Sequence, residues 1–129
     1  MKLNLDCVRD ILLTIEDYEY RMNLLVNEFC IMLPDYSPTE VIYCCEKLYE
    51  GNYLNLDYVE LPKQRNPELV KIRDITFQGH EFLANIRSDA NWKEVKGVCG
   101  KIGSIAFSAI KSVAEGVTIS AVNNYFGFK

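Results

Sequence analysis

The stretch from Val70 to Arg87, VKIRDITFQGHEFLANIR, limits what this chain can fold into more than any other. Val70-Lys71-Ile72-Arg73 alternates apolar and charged residues, the period of a strand with one buried face. It runs straight into Thr76, a side chain suited to capping a helix whose apolar positions are Phe82, Leu83 and Ile86. Gly79 in the first turn of that helix lets another backbone approach closely. Upstream, YLNLDYV alternates with Leu54, Leu56 and Tyr58 on one side, and a loop from Pro62 to Pro67 joins the two runs into a two-stranded hairpin.

Three helices are predicted ahead of the hairpin. Val8, Ile11, Leu12 and Ile15 fall at i, i+3, i+4 and i+7, one apolar face of a helix over residues 5–17, with Asn4 as its cap and Asp6 favourable in its first turn. Leu24-Leu25-Val26 and Phe29 to Leu33 form a second apolar run, read as a short helix stopping before Pro34. The third has the clearest local signals: Ser37 caps, Pro38 suits the first position, Glu40 completes a capping box and Gly51 terminates. Its buried face is predicted as Val41, Cys45, Leu48 and Tyr49. Helix, helix, helix, hairpin, helix is winged-helix order, so residues 1–88 are expected to form an α+β, winged-helix-like domain. A four-helix bundle would leave the alternating strands unexplained.

Residues 89–129 read as a long C-terminal helical tail. Trp92, Val95, Cys99, Ile102, Ala106, Ala109 and Val113 recur at steps of three and four, the seam of a helix that packs on another helix, either in the body or in a second copy. Gly97, Gly100 and Gly103 share this segment, and each costs a helix roughly 1 kcal/mol relative to alanine, which suggests that they permit close backbone contact. The longest uncharged run, Gly116 to Phe128, is 13 residues, against the approximately 20 needed to span a bilayer. Surface attachment through Lys93, Lys96, Lys101 and Lys111 is the weaker alternative to helix packing.

The net charge of −4 is unevenly spread: residues 1–88 hold nine Lys and Arg against fifteen Asp and Glu, and residues 89–129 hold five against three. The five cysteines, Cys7, Cys30, Cys44, Cys45 and Cys99, are an odd set without C-x-x-C spacing, which indicates neither a disulfide framework nor a zinc knuckle. Asp6, Arg9 and Asp10 interrupt the apolar start, unlike the core of a secretory signal. A cytoplasmic location follows as the expectation.

No catalytic or metal constellation stands out. His80, the one histidine, is adjacent to a carboxylate on a different helical face, so a structural role is expected rather than proton transfer. His80, Asp74 and Glu81 are too scattered a set for a transition metal, and no metal or cofactor is predicted. Cys44 and Cys45 diverge by about 100° on the third helix. Cys45 is expected to be buried and Cys44 more exposed, both as small apolar fillers. The outward positions of that helix are Thr39, Glu40, Tyr43, Glu46, Lys47 and Glu50, with one base against three acids. Such a surface repels phosphate, although Lys63, Gln64 and Arg65 make a basic wing tip between Glu60 and Glu68. Tyr18, Tyr20, Tyr36, Tyr43, Tyr49, Tyr53 and Tyr58 crowd the first half of the chain, and tyrosine is favoured at protein interfaces.

The opening M-K-L-N-x-D-x-V-R-D-I-L-L, the middle Y-S-P-T-E-V-I-Y and the later R-D-I-T-F-Q-G-H-E-F-L-A-N-I-R-S-D-A-N-W closely resemble the family called domain of unknown function 2513. The resemblance covers nearly the whole chain. It implies a small protein of prophages and mobile elements with a winged-helix-like body and a helical tail, and it implies no established activity. The expectation from residues and resemblance together is a non-enzymatic binding protein that engages a protein through the acidic third helix, as an inhibitor of a host or defence factor. The alternative is a DNA-binding regulator using the third helix and the Lys63 to Arg65 wing, as a homodimer joined by the tail.

Overall fold

Asn4 Oδ1 accepts a hydrogen bond from Cys7 N at 3.2 Å and starts α1 (Leu5–Glu16), in a computed structural model that describes residues 1–20, 23–102 and 107–127. The stripe read from the sequence is the buried one: Val8, Ile11, Leu12 and Ile15, joined by Cys7. There follow β1 (Leu24–Leu25), α2 (Val26–Ile31), α3 (Pro38–Glu50), β2 (Leu54–Val59), β3 (Glu68–Ile75), α4 (Phe77–Ile86), α5 (Asp89–Ile102) and α6 (Phe107–Phe126). The chain is thus α+β, with six helices and one three-stranded antiparallel sheet among the described residues. It divides into two compact units, Met1–His80 and Glu81–Lys129.

In the first unit the sheet has the order β1-β3-β2. The expected hairpin therefore gains a third strand, because Leu24 pairs with Ile72 and Leu25 with Lys71. Leu24-Leu25 had read as the start of the second helix. A strand of two residues is too short to show alternation, and only the neighbouring β3 makes it a strand.

The strand periodicity also needs correction. Between β2 and β3 the register steps from Asn55↔Asp74 to Leu56↔Ile72, and from Asp57↔Lys71 to Tyr58↔Leu69. Arg73 and Val70 are the extra residues of two bulges on β3. Each bulge resets the in-out phase by one residue. Hence β3 buries Leu69, Ile72 and Ile75 at intervals of three, and Val70 is only half-buried. On β2, Leu54 and Leu56 are buried as expected, while Tyr58 beyond the second bulge is half-exposed.

α3 is capped as the sequence predicts, with Ser37 Oγ accepting from Glu40 N at 3.2 Å and Gly51 at its C-terminus. The left-handed residue, however, is Asn52 (φ 66°), and Gly51 has an ordinary φ of −81°. Asparagine tolerates this region because its short side chain can bond locally. Its buried side is Val41, Cys44, Cys45 and Leu48, with Tyr49 42% exposed. Cys44, expected outside, is fully buried because α3 packs on α1, α2 and β2 at once, so more than one stripe of the helix is covered.

At the start of α4, Thr76 Oγ1 accepts from Gly79 N at 3.0 Å and donates to Asn52 O at 2.6 Å, while Thr76 N donates to Tyr53 O at 3.1 Å. A Cβ on Gly79 would run into that Tyr53 carbonyl and the Ile75 side chain. This is the close backbone approach that the sequence indicates.

In the second unit Phe82, Leu83 and Ile86 are buried, and Ser88 Oγ accepts from Asn91 N at 3.0 Å ahead of α5. The tail is two helices, α5 and α6, packed on one another, with the Phe82 and Phe107 rings 4.9 Å apart. Of the expected seam, Trp92, Val95 and Cys99 are buried. In α6 its members Ala109 and Val113 are half-buried, and Ile110, Ala114 and Val117 are the buried residues. The side chain of Ile102, and Gly103 and Ala106 altogether, lie outside the described residues. Among the described residues a Cβ on Gly97 or Gly100 would meet nothing within 4 Å, so neither glycine is required by a close approach there.

The glycines therefore differ in sign. Gly79→Ala should lower stability by about 2–3 kcal/mol, since backbone and a packed Ile75 cannot yield cheaply. Gly97→Ala should raise it by up to about 1 kcal/mol, since only helix propensity changes. Urea unfolding of the two variants beside the parent chain tests both.

Candidate functional site

The six outward residues of α3 are all at least partly accessible, but they do not act alike. Glu40, which the capping-box signal assigned to its own helix, accepts from Asn4 Nδ2 at 2.7 Å and so ties α3 to the cap of α1. Tyr43 Oη donates to Met1 O at 3.1 Å. These two serve the α1 side. Lys47 pairs with Glu50 at 2.8 Å, and its ammonium lies 5.4 Å from the Tyr43 ring centre. The Glu50 carboxylate raises the Lys47 pKa, which keeps the pair charged but leaves no surplus positive charge. Thr39 is exposed.

Glu46 faces the other way and accepts from Tyr58 Oη of β2 at 3.5 Å. Tyr58 has its phenol pushed up to about 12, first by burial and then by the Glu46 charge. The Tyr49 and Tyr58 rings lie 5.5 Å apart at 48°. Tyr49 and Tyr58 thus extend the exposed α3 surface, an arrangement hidden from the sequence because it depends on where β2 passes the end of α3. The surface is a mixed acidic and aromatic one in which the single lysine is neutralised.

The loop between β2 and β3 is separate. Lys63, Gln64 and Arg65 are exposed in the loop between β2 and β3, where Gln64 N donates to Leu61 O at 3.1 Å. Glu60 and Glu68 flank it and are exposed as well.

His80 is exposed at the rim of a hollow of about 180 Å³ that also takes in Glu16, Glu19, Tyr20, Arg73 and Asp74. Glu16 and Glu19 reach it from the far end of α1, which no local pattern could have revealed. Ligand pockets run from about 300 Å³ upward, so this hollow is too small for one. A larger open cleft of about 520 Å³ on the same side involves Asn23, Asp57, Lys71 and Arg73. Its polar groups are turned on each other: Arg73 lies 3.6 Å from Asp57, and Lys71 donates to Asn23 at 3.3 Å. Among the described residues no group of three or more His, Cys, Asp or Glu is arranged to hold a metal ion, and no helix is long and apolar enough to cross a membrane.

Cys7, Cys30, Cys44 and Cys45 lie on α1, α2 and α3 in the first unit, and Cys99 lies on α5 in the second. Cys44 Sγ lies 3.9 Å from Asn4 O and Cys30 Sγ 4.0 Å from Pro38 O, and all five thiols are free and buried. The hydrogen bond between Cys7 and Cys44 raises the Cys7 thiol and lowers that of Cys44, and burial raises Cys45, Cys30 and Cys99. Buried structural thiols out of reach of solvent are inert.

A family described as a hypothetical protein (DUF2513) matches residues 2–105, a span that closes before α6 begins. An uncharacterized protein of Haemophilus influenzae is 33% identical over 118 residues, covering 89% of this chain and 93% of that one. No solved structure matches.

Two outcomes follow from the buried thiols. A maleimide reagent should leave the native protein unlabelled over a time in which all five cysteines react in urea, and mass spectrometry reads the count. Stability should also fall at high pH. The fold keeps Cys45 protonated while the unfolded chain gives up that proton near pH 9, so stability is full below that pH and declines above it. The loss is up to about 1.4 kcal/mol per pH unit for each such thiol, measurable as a falling Tm between neutral and alkaline buffers.

Proposed function

From the premise that this chain belongs to the domain of unknown function 2513 family, we propose that it is a non-enzymatic binding protein whose first unit is a winged helix and whose α3 surface engages another protein. Support for the winged-helix reading comes from the order α1, β1, α2, α3, β2, β3, with β3 between its partners and the loop of residues 60–67 joining β2 to β3. In such an arrangement α3 is the recognition helix and that loop is the wing.

The observation that carries a protein partner is the Lys47–Glu50 pair. Affinity for nucleic acid rests on neutralising several phosphates. Here the one base among the outward residues of α3 is already neutralised, and Glu46 stays beside it. A basic protein surface fits these acids, and Tyr43, Tyr49 and Tyr58 offer the amphipathic area favoured in interface centres. In a mobile element, a host or defence factor that the protein inhibits is the partner of this kind. The cytoplasm is the compartment that goes with it.

One observation favours a second reading: Lys63, Gln64 and Arg65 are exposed together on the wing. A DNA-binding regulator would use them with Lys47, and its affinity would fall steeply with salt.

Capture of the tagged protein from lysate of a bacterial host, with and without nuclease, separates the two. A stoichiometric protein that survives nuclease, and whose recovery drops at least ~10-fold on Glu46→Lys with Glu50→Lys, supports the protein-binding reading. Nucleic acid recovered alone, and lost on Lys63→Ala with Arg65→Ala, overturns it in favour of the regulator. Glu40 is left intact because it supports the Asn4 cap.

A further inference from the structure

We propose that the C-terminal half of α6 is a self-association face through which two copies of this chain form a dimer. The helix carries two apolar stripes. Ile110, Ala114 and Val117, at i, i+4 and i+7, are buried on a helix that packs on α5. Ile119, Val122 and Phe126, at i, i+3 and i+7, form the second. They are 60%, 47% and 62% exposed, with Tyr125 beside them at 83%. At 3.6 residues per turn the second stripe lies roughly two-fifths of a turn round the helix from the first. A helix that is apolar on one side is completed by burying that side, and one that is apolar on two sides calls for a second cover.

Single exposed apolar residues are ordinary on a protein surface, but these four are contiguous along the last turns of one helix. Large apolar and aromatic side chains have on the order of 150–250 Å² each to bury. At the exposures given, the four together present on the order of 400–500 Å², the size of the largest and often functional patch on a monomer. Doubled across a two-fold axis, this comes to about 800–1,000 Å², against the approximately 1,000 Å² that a specific interface needs.

The chemistry of the patch selects a second copy as its occupant. In a two-fold contact the same surface serves both sides, so a charge near the axis lies close to its own like. From Gly116 to Phe126 there is no charged residue, and such a patch is self-complementary without adjustment. A charged partner would find nothing there to pair with. A lipid surface would draw on cations across the polar side of the helix, yet the polar positions of this segment are Thr118, Ser120, Asn123 and Asn124, and Lys93, Lys96, Lys101 and Lys111 all precede it. This face is also distinct from the seam expected on the sequence, whose members Trp92, Val95 and Cys99 are buried in the single chain.

Sedimentation equilibrium of the full chain over a low- to high-micromolar series tests the proposal. The mass should rise toward twice that of one chain. Val122→Lys and Val122→Glu should each weaken association at least ~10-fold with unchanged helical circular dichroism, and an equimolar mixture of the two should associate again, because opposite charges then meet across the axis. A parent chain that keeps single-chain mass throughout the series overturns the proposal, as do variants that keep the parent's dimer mass or a mixture that fails to associate. If a single-chain parent instead sediments with vesicles of anionic phospholipid and Val122→Glu abolishes this, the face belongs to a lipid surface and the proposal is likewise overturned.

Discussion

Thr76 holds the junction on which the rest of the first unit depends. Its hydroxyl donates to Asn52 O and accepts from Gly79 N, and its amide donates to Tyr53 O. One residue thereby joins the turn after α3, the entry to β2, the end of β3 and the first turn of α4. The geometry works because Asn52 takes a left-handed conformation and because Gly79 presents no side chain to the Tyr53 carbonyl. With those ends fastened, Leu54 is set opposite Ile75 and the register of the hairpin is anchored. The two bulges then turn β3 so that every third residue faces inward, which accommodates an apolar pattern that a regular strand could not bury.

A second constraint is the contact of α1 with α3. Asn4 serves both helices: its carbonyl oxygen caps α1 and its amide nitrogen donates to Glu40 in the first turn of α3. Below it the contact is made by Cys7 and Cys44, small side chains that allow the two helices to approach closely. Tyr36 Oη closes the same region by donating to Asp10 at 2.6 Å. The polar groups sit at the rim and the thiols in the interior, so the hydrogen bonds orient the helices while apolar burial supplies the stabilisation.

The two outer surfaces differ in chemistry, and the two proposals draw on that difference. α3 is acidic and tyrosine-rich, with its lysine paired to Glu50, and the proposed partner there is a basic protein. The end of α6 is uncharged and apolar, and the proposed partner there is its own copy. Association through α6 would present α3 twice, and two linked sites gain avidity without any new contact. The exposed histidine and its small hollow take no part in either surface.

Local grammar in the sequence determined most of the elements. Caps at Asn4, Ser37 and Thr76, the stripe from Val8 to Ile15 and the alternation before Thr76 were enough to place α1, α3, the hairpin and α4, because capping and periodicity act over a few residues. Gly79 was legible for the same reason. What tertiary structure alone decided was everything set by a distant neighbour. Leu24-Leu25 became a strand because β3 passes beside it, and Cys44 was buried because three elements surround α3. The bulges broke the expected alternation of β3. Glu40 exchanged a local role for Asn4, and Tyr58 reached Glu46 from another element. In α6 the buried stripe is Ile110, Ala114 and Val117, where the seam expected Ala109 and Val113. The outward positions of α3 could be counted round the helix from sequence, but which of them remain available to a partner could not, since a side chain's free valence depends on residues that only folding brings within reach.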